Sequence, residues 1–335
     1  MKKITLAALI IGAFATSAQA QSNVTVYGVV DLGIAKTTGG ALLERENQAS
    51  RLGFKGTEDL GNGLKAIFNL ESEFKADTGA LATVSTTSTT LFDRQAWVGL
   101  TGDFGTVYLG RTKDLIDGTL ARVDPFNTYG VIGKINEPVM RGGQSPNGAQ
   151  AIPSASVVGA SRVSNAVTYN SPSFSGFVIS GQYVASEIKD ADSGFSALVT
   201  FDDGPASAHA GYQRKVQIAA NAIPEPKLWI VGGGYKFGPA KVTLDYSKAD
   251  TDVAATGTFK NFLLGLAYDI GGGAIKASYV KQKQDSSTVS GKETAKAYGL
   301  GYDYPLSKRT AVYGYAGRDQ FSEKSVYQLG MTHKF

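Results

Sequence analysis

The sequence predicts an all-β fold, an antiparallel barrel of about sixteen strands that crosses a membrane, with one long segment folded into its bore. Three observations carry this. Short stretches of alternating apolar and polar residues follow one another along nearly the whole chain, each ended by a turn. Compact Gly/Pro/Asp turns alternate with longer polar loops, the asymmetry of an up-and-down outer-membrane barrel. Charges in the middle of the strands keep to one phase, opposite the apolar residues of the same strand.

The N-terminus reads as an export leader. Lys2 and Lys3 precede the apolar run LAALIIGAFA, and Ala18-Gln19-Ala20 gives a small-x-small cleavage site, so residues 1–20 are expected to leave and the mature chain to begin at Gln21. The apolar run is too short to span a bilayer, and no later stretch has eighteen apolar residues in succession. The chain has no cysteine, so an exported protein of this size must be stabilised without disulfides. A net charge of only +4, without a basic patch interleaved with aromatics, excludes a nucleic-acid partner.

The first strand, NVTVYGVVDLGIAKT, places Val24, Val26, Val30, Leu32 and Ile34 on one face and Thr25, Tyr27 and Asp31 on the other. After the loop GGALLEREN, Arg51, Gly53 and Lys55 oppose Leu52 and Phe54. The turn EDLGNG leads to a strand with Leu64, Ala66, Phe68 and Leu70 against Lys65, Asn69, Glu71 and Glu73. A Thr/Ser-rich loop, the strand FDRQAWVGL, the turn TGDFGT and the strand VYLGR follow. From Arg111 to about Ala160 the period of two is lost and no helix period is evident in its place; few large apolar residues stand among Gly, Pro and Ser. A loop of this length is either functional or disordered. Beyond it, hairpins resume from SRVSNAVTYN to the terminal SVYQLGMTHKF.

Asp31, Lys55, Lys65, Glu71, Asp245, Asp269 and Lys276 all fall opposite the apolar positions of their strands. A charge on a lipid-facing wall near the midplane costs about 2–4 kcal/mol, so a bilayer would impose this segregation. Periodicity alone leaves a soluble sandwich open, since apolar-in and apolar-out give the same pattern. The leader, the sustained hairpin order and tyrosines near strand ends favour the barrel. The stretches VTVYGVVDLGI, SRLGFKGTEDLGNGLKAIF, DRQAWVGL with FGTVYLGR, SRVSNAVTY and the terminal HKF together resemble the general porins of Gram-negative outer membranes, of the β-proteobacterial type.

That resemblance implies a homotrimer of 16-stranded transmembrane barrels in the outer membrane of a Gram-negative bacterium. Residues 21–335 would form the barrel, and 111–160 an inward-folded third outer loop that acts as the constriction. It implies passive diffusion of ions and small hydrophilic solutes. It places wall arginines at Arg51, Arg94 and Arg162 opposite loop acids, here Asp114, Asp117, Asp124 and Glu137. Arg51 and Arg162 lie in the inward phase; Arg94 is ambiguous, and were it inward, Gln95, Trp97 and Gly99 would point out. Five basic and four acidic loop residues plus three wall arginines predict a positive eyelet and modest anion preference.

Outward residues of the first three strands are aliphatic or Phe, which suits a subunit contact. Later strands carry outward tyrosines (Tyr169, Tyr183, Tyr235, Tyr246, Tyr268, Tyr298, Tyr302, Tyr313), which suit a lipid boundary. Arg214, Lys248, Lys260, Lys281 and Lys296 sit outward near the outer strand ends, placed to pair with lipopolysaccharide phosphates. Only His209 and His333 could serve a catalytic base, neither with a recognisable nucleophile, and no metal-ligand or cofactor spacing occurs, so no enzyme, metal or cofactor is expected. A substrate-selective porin is the nearest alternative, and a structural or adhesin barrel a more distant one. The loop's only aromatics, Phe126 and Tyr129, argue against a sugar slide.

Overall fold

The computed structural model describes residues 23–85, 88–141, 161–187, 193–214 and 225–335; the leader, residues 1–20, and the 142–160 part of the long loop lie outside them. Sixteen long strands form the sheet: β1 (Asn23–Thr37), β2 (Arg51–Gly61), β3 (Leu64–Glu73), β4 (Gln95–Gly102), β5 (Gly105–Lys113), β6 (Arg162–Asn170), β7 (Phe177–Val184), β8 (Gly194–Asp203), β9 (Ala206–Arg214), β10 (Lys227–Phe237), β11 (Ala240–Asp250), β12 (Thr258–Ile270), β13 (Gly273–Asp285), β14 (Lys292–Pro305), β15 (Thr310–Asp319) and β16 (Lys324–Lys334). The short strand Leu42–Glu44 adds to β1, and Thr83–Ser85 pairs with Ser88–Thr89 in the loop after β3.

Each strand pairs antiparallel with its sequence neighbour, and the first pairs with the last, so the sheet closes and has no free edge. β1 makes that closure with its two halves: residues 23–29 pair with β2 and residues 29–37 with β16. The C-terminus locks the seam, Gly28 N–H donating to Phe335 C=O at 3.1 Å and Phe335 N–H to Gly28 C=O at 3.2 Å. Gly28 must lack a side chain, because a Cβ there would lie 2.3 Å from the Phe335 ring.

The two faces differ in kind. One exposes a band of Val24, Val26, Val98, Trp229, Val231, Leu244, Leu300 and Leu329. The other carries buried polar side chains: Asp31, Gln182, Ser196, Gln213, Ser247, Asn261 and Gln282. A fold with apolar groups exposed and amides buried is inside-out relative to a soluble sandwich, and a bilayer outside with water inside accounts for it. Seven of the eight outward tyrosines are on the exposed face, but Tyr313 is not. It is 5 % exposed, stacks on Tyr315 and donates to Asp31 Oδ1 at 2.8 Å. The inner carboxylates, which need donors, recruit both phenols; Tyr315 donates to Asp303 Oδ1 at 2.6 Å.

The segment after β5 departs from the sequence reading. Arg111 belongs to β5 itself, and the chain then forms two helices, α1 (Leu115–Val123) and α2 (Gly130–Met140). Far from apolar-poor, the pair buries Ile116, Leu120, Val123, Val131, Ile132, Ile135, Val139 and Met140. Asp114 caps α1, its Oδ1 accepting from Ile116 N–H at 3.0 Å and Asp117 N–H at 3.1 Å. Ile116, Leu120 and Val123 then fall four and three apart on one helical face. Each helix is only two to three turns long, too short to persist alone, so packing on the wall must hold it.

Candidate functional site

The helices lie against the polar face of the sheet, α1 on β7–β11 and α2 on β12–β16. There the wall turns apolar: Leu198, Leu228, Ile230, Ala249, Phe259, Leu263, Val280, Ala295 and Ala297 form one buried cluster with Ile116, Leu120, Val123, Ile135, Val139 and Met140. Glycines cut recesses for individual side chains. A Cβ on Gly317 would lie 2.1 Å from Ile132 Cδ1, one on Gly299 2.4 Å from Ile132 Cγ2, and one on Gly211 2.5 Å from Ile116 Cδ1.

Polar wall residues take up the backbone groups the helices leave over. Gln282 Nε2 donates to Val139 C=O at 3.0 Å, Asn261 Nδ2 to Met140 C=O at 3.4 Å, and Ser247 Oγ also to Met140 C=O. Thr243 Oγ1 donates to Val123 C=O, and Val131 N–H to Gln328 Oε1 at 3.3 Å. Burial of each large side chain is worth about 1.5–3 kcal/mol, so the segment is seated by packing and oriented by these hydrogen bonds.

With one side of the segment docked, its other side faces the wall of β1–β6 across a cavity of about 410 Å³. Arg94 and Arg162 line it from the wall, and Lys113, Asp117, Lys134 and Glu137 from the segment and its entry strand, with Glu44, Arg45, Glu46, Lys75 and Asp77 at the rim. Arg94 faces in, held by Nε to Glu71 Oε1 at 2.6 Å and Nη1 to Glu73 Oε2 at 2.8 Å. Trp97 and Gln95 also face in, paired in register with Asn69 and Glu71. The expectation that they would oppose Arg94 fails because Arg94 precedes β4, where the pleat has not begun. Arg51 points inward, with Nε 3.6 Å from Glu71 Oε2, but does not line the cavity. Arg162 differs from both: its Nε is buried without a hydrogen-bond partner, and it makes no ion pair among the described residues.

The four loop acids divide into two pairs. Asp114 and Asp124 are 1 % and 3 % exposed and stand away from the cavity. Both are turn-builders: Asp114 is the α1 cap, and Asp124 accepts from Phe126 N–H at 3.0 Å, Thr128 N–H at 2.9 Å and Asn136 Nδ2 at 3.1 Å. Burial pushes Asp114 up to about 6 and raises Asp124 as well. The remaining two, Asp117 and Glu137, do line the cavity, clasped by Arg141 Nη1 at 3.4 and 3.1 Å, Lys113 Nζ at 3.2 Å from Asp117 and Lys134 Nζ at 3.1 Å from Glu137. Burial, reinforced by the Glu137 carboxylate beside it, raises the Asp117 carboxyl well above its ordinary range. Burial opposes the charge on Glu137 too, but Lys134 and Arg141 outweigh it and hold that group low. Of the two carboxyls, Asp117 is therefore the one that holds a proton more readily.

The expected positive count also needs revision. Arg51 and Arg94 are matched by Glu71 and Glu73, and Arg122 pairs with Asp202 at 2.6 Å. Charged lining residues balance in number, six against six.

Arg214, Lys248, Lys260, Lys281 and Lys296 lie on the outward face at the long-loop end, where register sets Lys248 beside Lys260 and Lys281 beside Lys296. Lys260 pairs with Asp285 at 3.0 Å, Lys281 with Glu293 and Arg214 with Glu225 at 3.7 Å. On the inner face, His209 Nε2 lies 3.1 Å from Asp245 Oδ2, across Gly232. Strand spacing alone could not find this pair, because it needs the register of three strands. Among the described residues no three His, Asp or Glu side chains converge on a metal-sized site.

The Gram-negative porin family model matches residues 5–324. The chain is 32% identical over 376 residues to outer membrane porin protein 32 of Delftia acidovorans, with both chains covered completely. It is 29% identical over 408 residues to an outer membrane porin protein of Bordetella pertussis, again with full coverage. Among solved structures it is similar to an anion-selective porin from Comamonas acidovorans, at 29% identity and a TM-score of 0.75, covering 94% of this chain and 100% of that one.

Proposed function

The chain belongs to the Gram-negative porin family and forms an outer-membrane channel, and on that premise we propose that the segment between β5 and β6 is its constriction and gives it a mild anion preference. The observation that carries this is the docked segment: apolar on the side facing β7–β16, charged on the side facing β1–β6. Solutes pass between Arg162 and Arg94 on the wall and Asp117, Glu137 and Lys134 on the segment. Charges of both signs lining one cavity make a transverse field, which favours dipolar hydrophilic solutes over apolar ones. The unpaired Arg162 guanidinium tips the field positive. The reversal potential of the purified protein in a planar bilayer under a salt gradient tests this; a cation-selective sign would overturn the anion preference.

The functional unit we propose is a homotrimer joined through the early strands, where Val24, Val26, Val30 and Leu52 are exposed outward without tyrosine. The outward basic residues Arg214, Lys248, Lys260, Lys281 and Lys296 at the long-loop end are proposed contacts for lipopolysaccharide phosphates. Lys248 supports this most directly, since it has no ion-pair partner among the described residues.

A further inference from the structure

We propose that the bulge at residues 45–50, between β1 and β2, is a second jaw of the aperture that fastens the start of α2, and that Asp31 is the positioning residue that seats it. This rests on the segment between β5 and β6 being the constriction, and adds a second element to it. β1 keeps its ladder to β2 up to Val29, opposite Arg51, and pairs again with the short strand Leu42–Glu44 from Ile34, opposite Glu44. Between these points six residues, 45–50, face the four residues 30–33. A surplus of this kind leaves the ladder and bends out of the sheet. Here it turns inward, and Arg45, Glu46, Asn47 and Ala49 line the cavity. Asp31, 0 % exposed, lies beneath them and does not line the cavity itself. Its Oδ1 accepts from Asn47 N–H at 2.7 Å as well as from the Tyr313 hydroxyl at 2.8 Å. Ser50 Oγ stands in for the missing ladder partner, accepting from Asp31 N–H at 3.0 Å and donating to Asp31 C=O at 3.1 Å.

The seated bulge in turn holds the docked segment. Tyr129, the N-cap of α2, gives the helix no side-chain acceptor, so the first N–H groups need partners from elsewhere. Gly130 N–H donates to Asn47 C=O at 2.5 Å and Val131 N–H to Gln328 Oε1 at 3.3 Å. Gln328 Nε2 donates to Arg45 C=O at 3.0 Å, so one buried amide on β16 ties bulge and helix together. The approach is close: Gly130 is at φ +63°, and a Cβ on it would lie 2.1 Å from Asn47 Oδ1. On its other side the bulge joins the charged wall. Glu46 Oε1 meets Lys75 Nζ at 2.7 Å, Lys75 Nζ meets Glu73 Oε1 at 3.0 Å, and Glu73 Oε2 meets Arg94 Nη1 at 2.8 Å. The bulge therefore bridges the two sides of the aperture, and Asp31 acts on it only through Asn47 and Ser50.

The chain has no cysteine, so a bond between residues 47 and 130 can be introduced and reduced at will. Asn47 Cγ lies 3.2 Å from the place of a Cβ on residue 130, which suits a disulfide from Asn47→Cys with Gly130→Cys. The test is single-channel conductance of that pair in planar bilayers, with and without Asp31→Ala, each oxidised and then treated with dithiothreitol. Oxidation should remove both free thiols; thiols that stay free would overturn the fastening of α2. In the reduced state Asp31→Ala should raise the conductance and its noise. In the oxidised state both should return to the level of the pair without Asp31→Ala, because the bond replaces the seat. If Asp31→Ala does not assemble, Ser50→Ala should give a smaller rise that the same bond reverses. A rise that the bond does not reverse would make Asp31 a support of the barrel wall alone and overturn the jaw. No rise, in bilayers where Leu120→Ala with Ile135→Ala does widen the channel, would overturn the jaw and leave the constriction standing. No rise in either would overturn both.

Discussion

The two halves of the inner wall are built on opposite principles. Along β7–β16 the wall buries Leu198, Leu228, Phe259 and Leu263 under the two helices, and its amides and hydroxyls are spent on helix carbonyls. Along β1–β6 the wall carries Glu73, Arg94 and Arg162 around open space, with Arg51 and Glu71 paired to one another away from it. The contrast shows how a loop can define an aperture without a rigid frame of its own. Apolar burial on one side fixes where the segment stops, and that decides how far its charged edge stands from the arginines.

The largest effect should come from the docked half. Leu120→Ala with Ile135→Ala removes two fully buried side chains at about 2–5 kcal/mol each. The segment should loosen while the strand ladder holds, read as larger and noisier single-channel conductance with unchanged strand content. On the open half, Arg162→Gln should move the salt-gradient reversal potential strongly toward cations. Arg51→Gln should move it less, because Glu71 already offsets Arg51.

The same half should respond to pH. A carboxyl raised by burial keeps its proton to higher pH than usual, so the lining is most positive in acid. As pH rises through the Asp117 titration a negative charge appears and anion preference falls. Asp117→Asn should flatten that slope; a slope unchanged by the substitution would place the titrating group elsewhere. Outside the lumen, Val30→Arg should abolish heat-sensitive oligomer bands on a gel if the early strands form the subunit contact. The smallest effect should be that of Lys248→Glu with Lys260→Glu, which should reduce co-purifying lipopolysaccharide and leave conductance unaltered.

Strand number, order and facing were legible because a period of two survives wherever one face meets lipid and the other water. Asp31, Glu71 and Asp245 could be placed inside from phase alone. The reading failed where phase no longer applied. Arg94 sits one residue before its strand, and Tyr313 follows an inner carboxylate rather than the lipid boundary. The helices were missed although Asp114 and the Ile116, Leu120, Val123 spacing signal the first of them, because Gly118 and Pro138 mask a pattern only two or three turns long. The inner glycines that receive Ile116 and Ile132 carry no local signal at all. Their purpose depends on a segment more than seventy residues away in the chain.

The recess at Gly317 gives the most direct test of the central claim, that wall-to-segment packing sets the aperture. Single-channel conductance should rise in Gly317→Val, whose side chain would occupy the place of Ile132, and return toward the parent value in Gly317→Val with Ile132→Ala. Conductance indifferent to Gly317→Val, or altered equally with and without the compensating change, would contradict it.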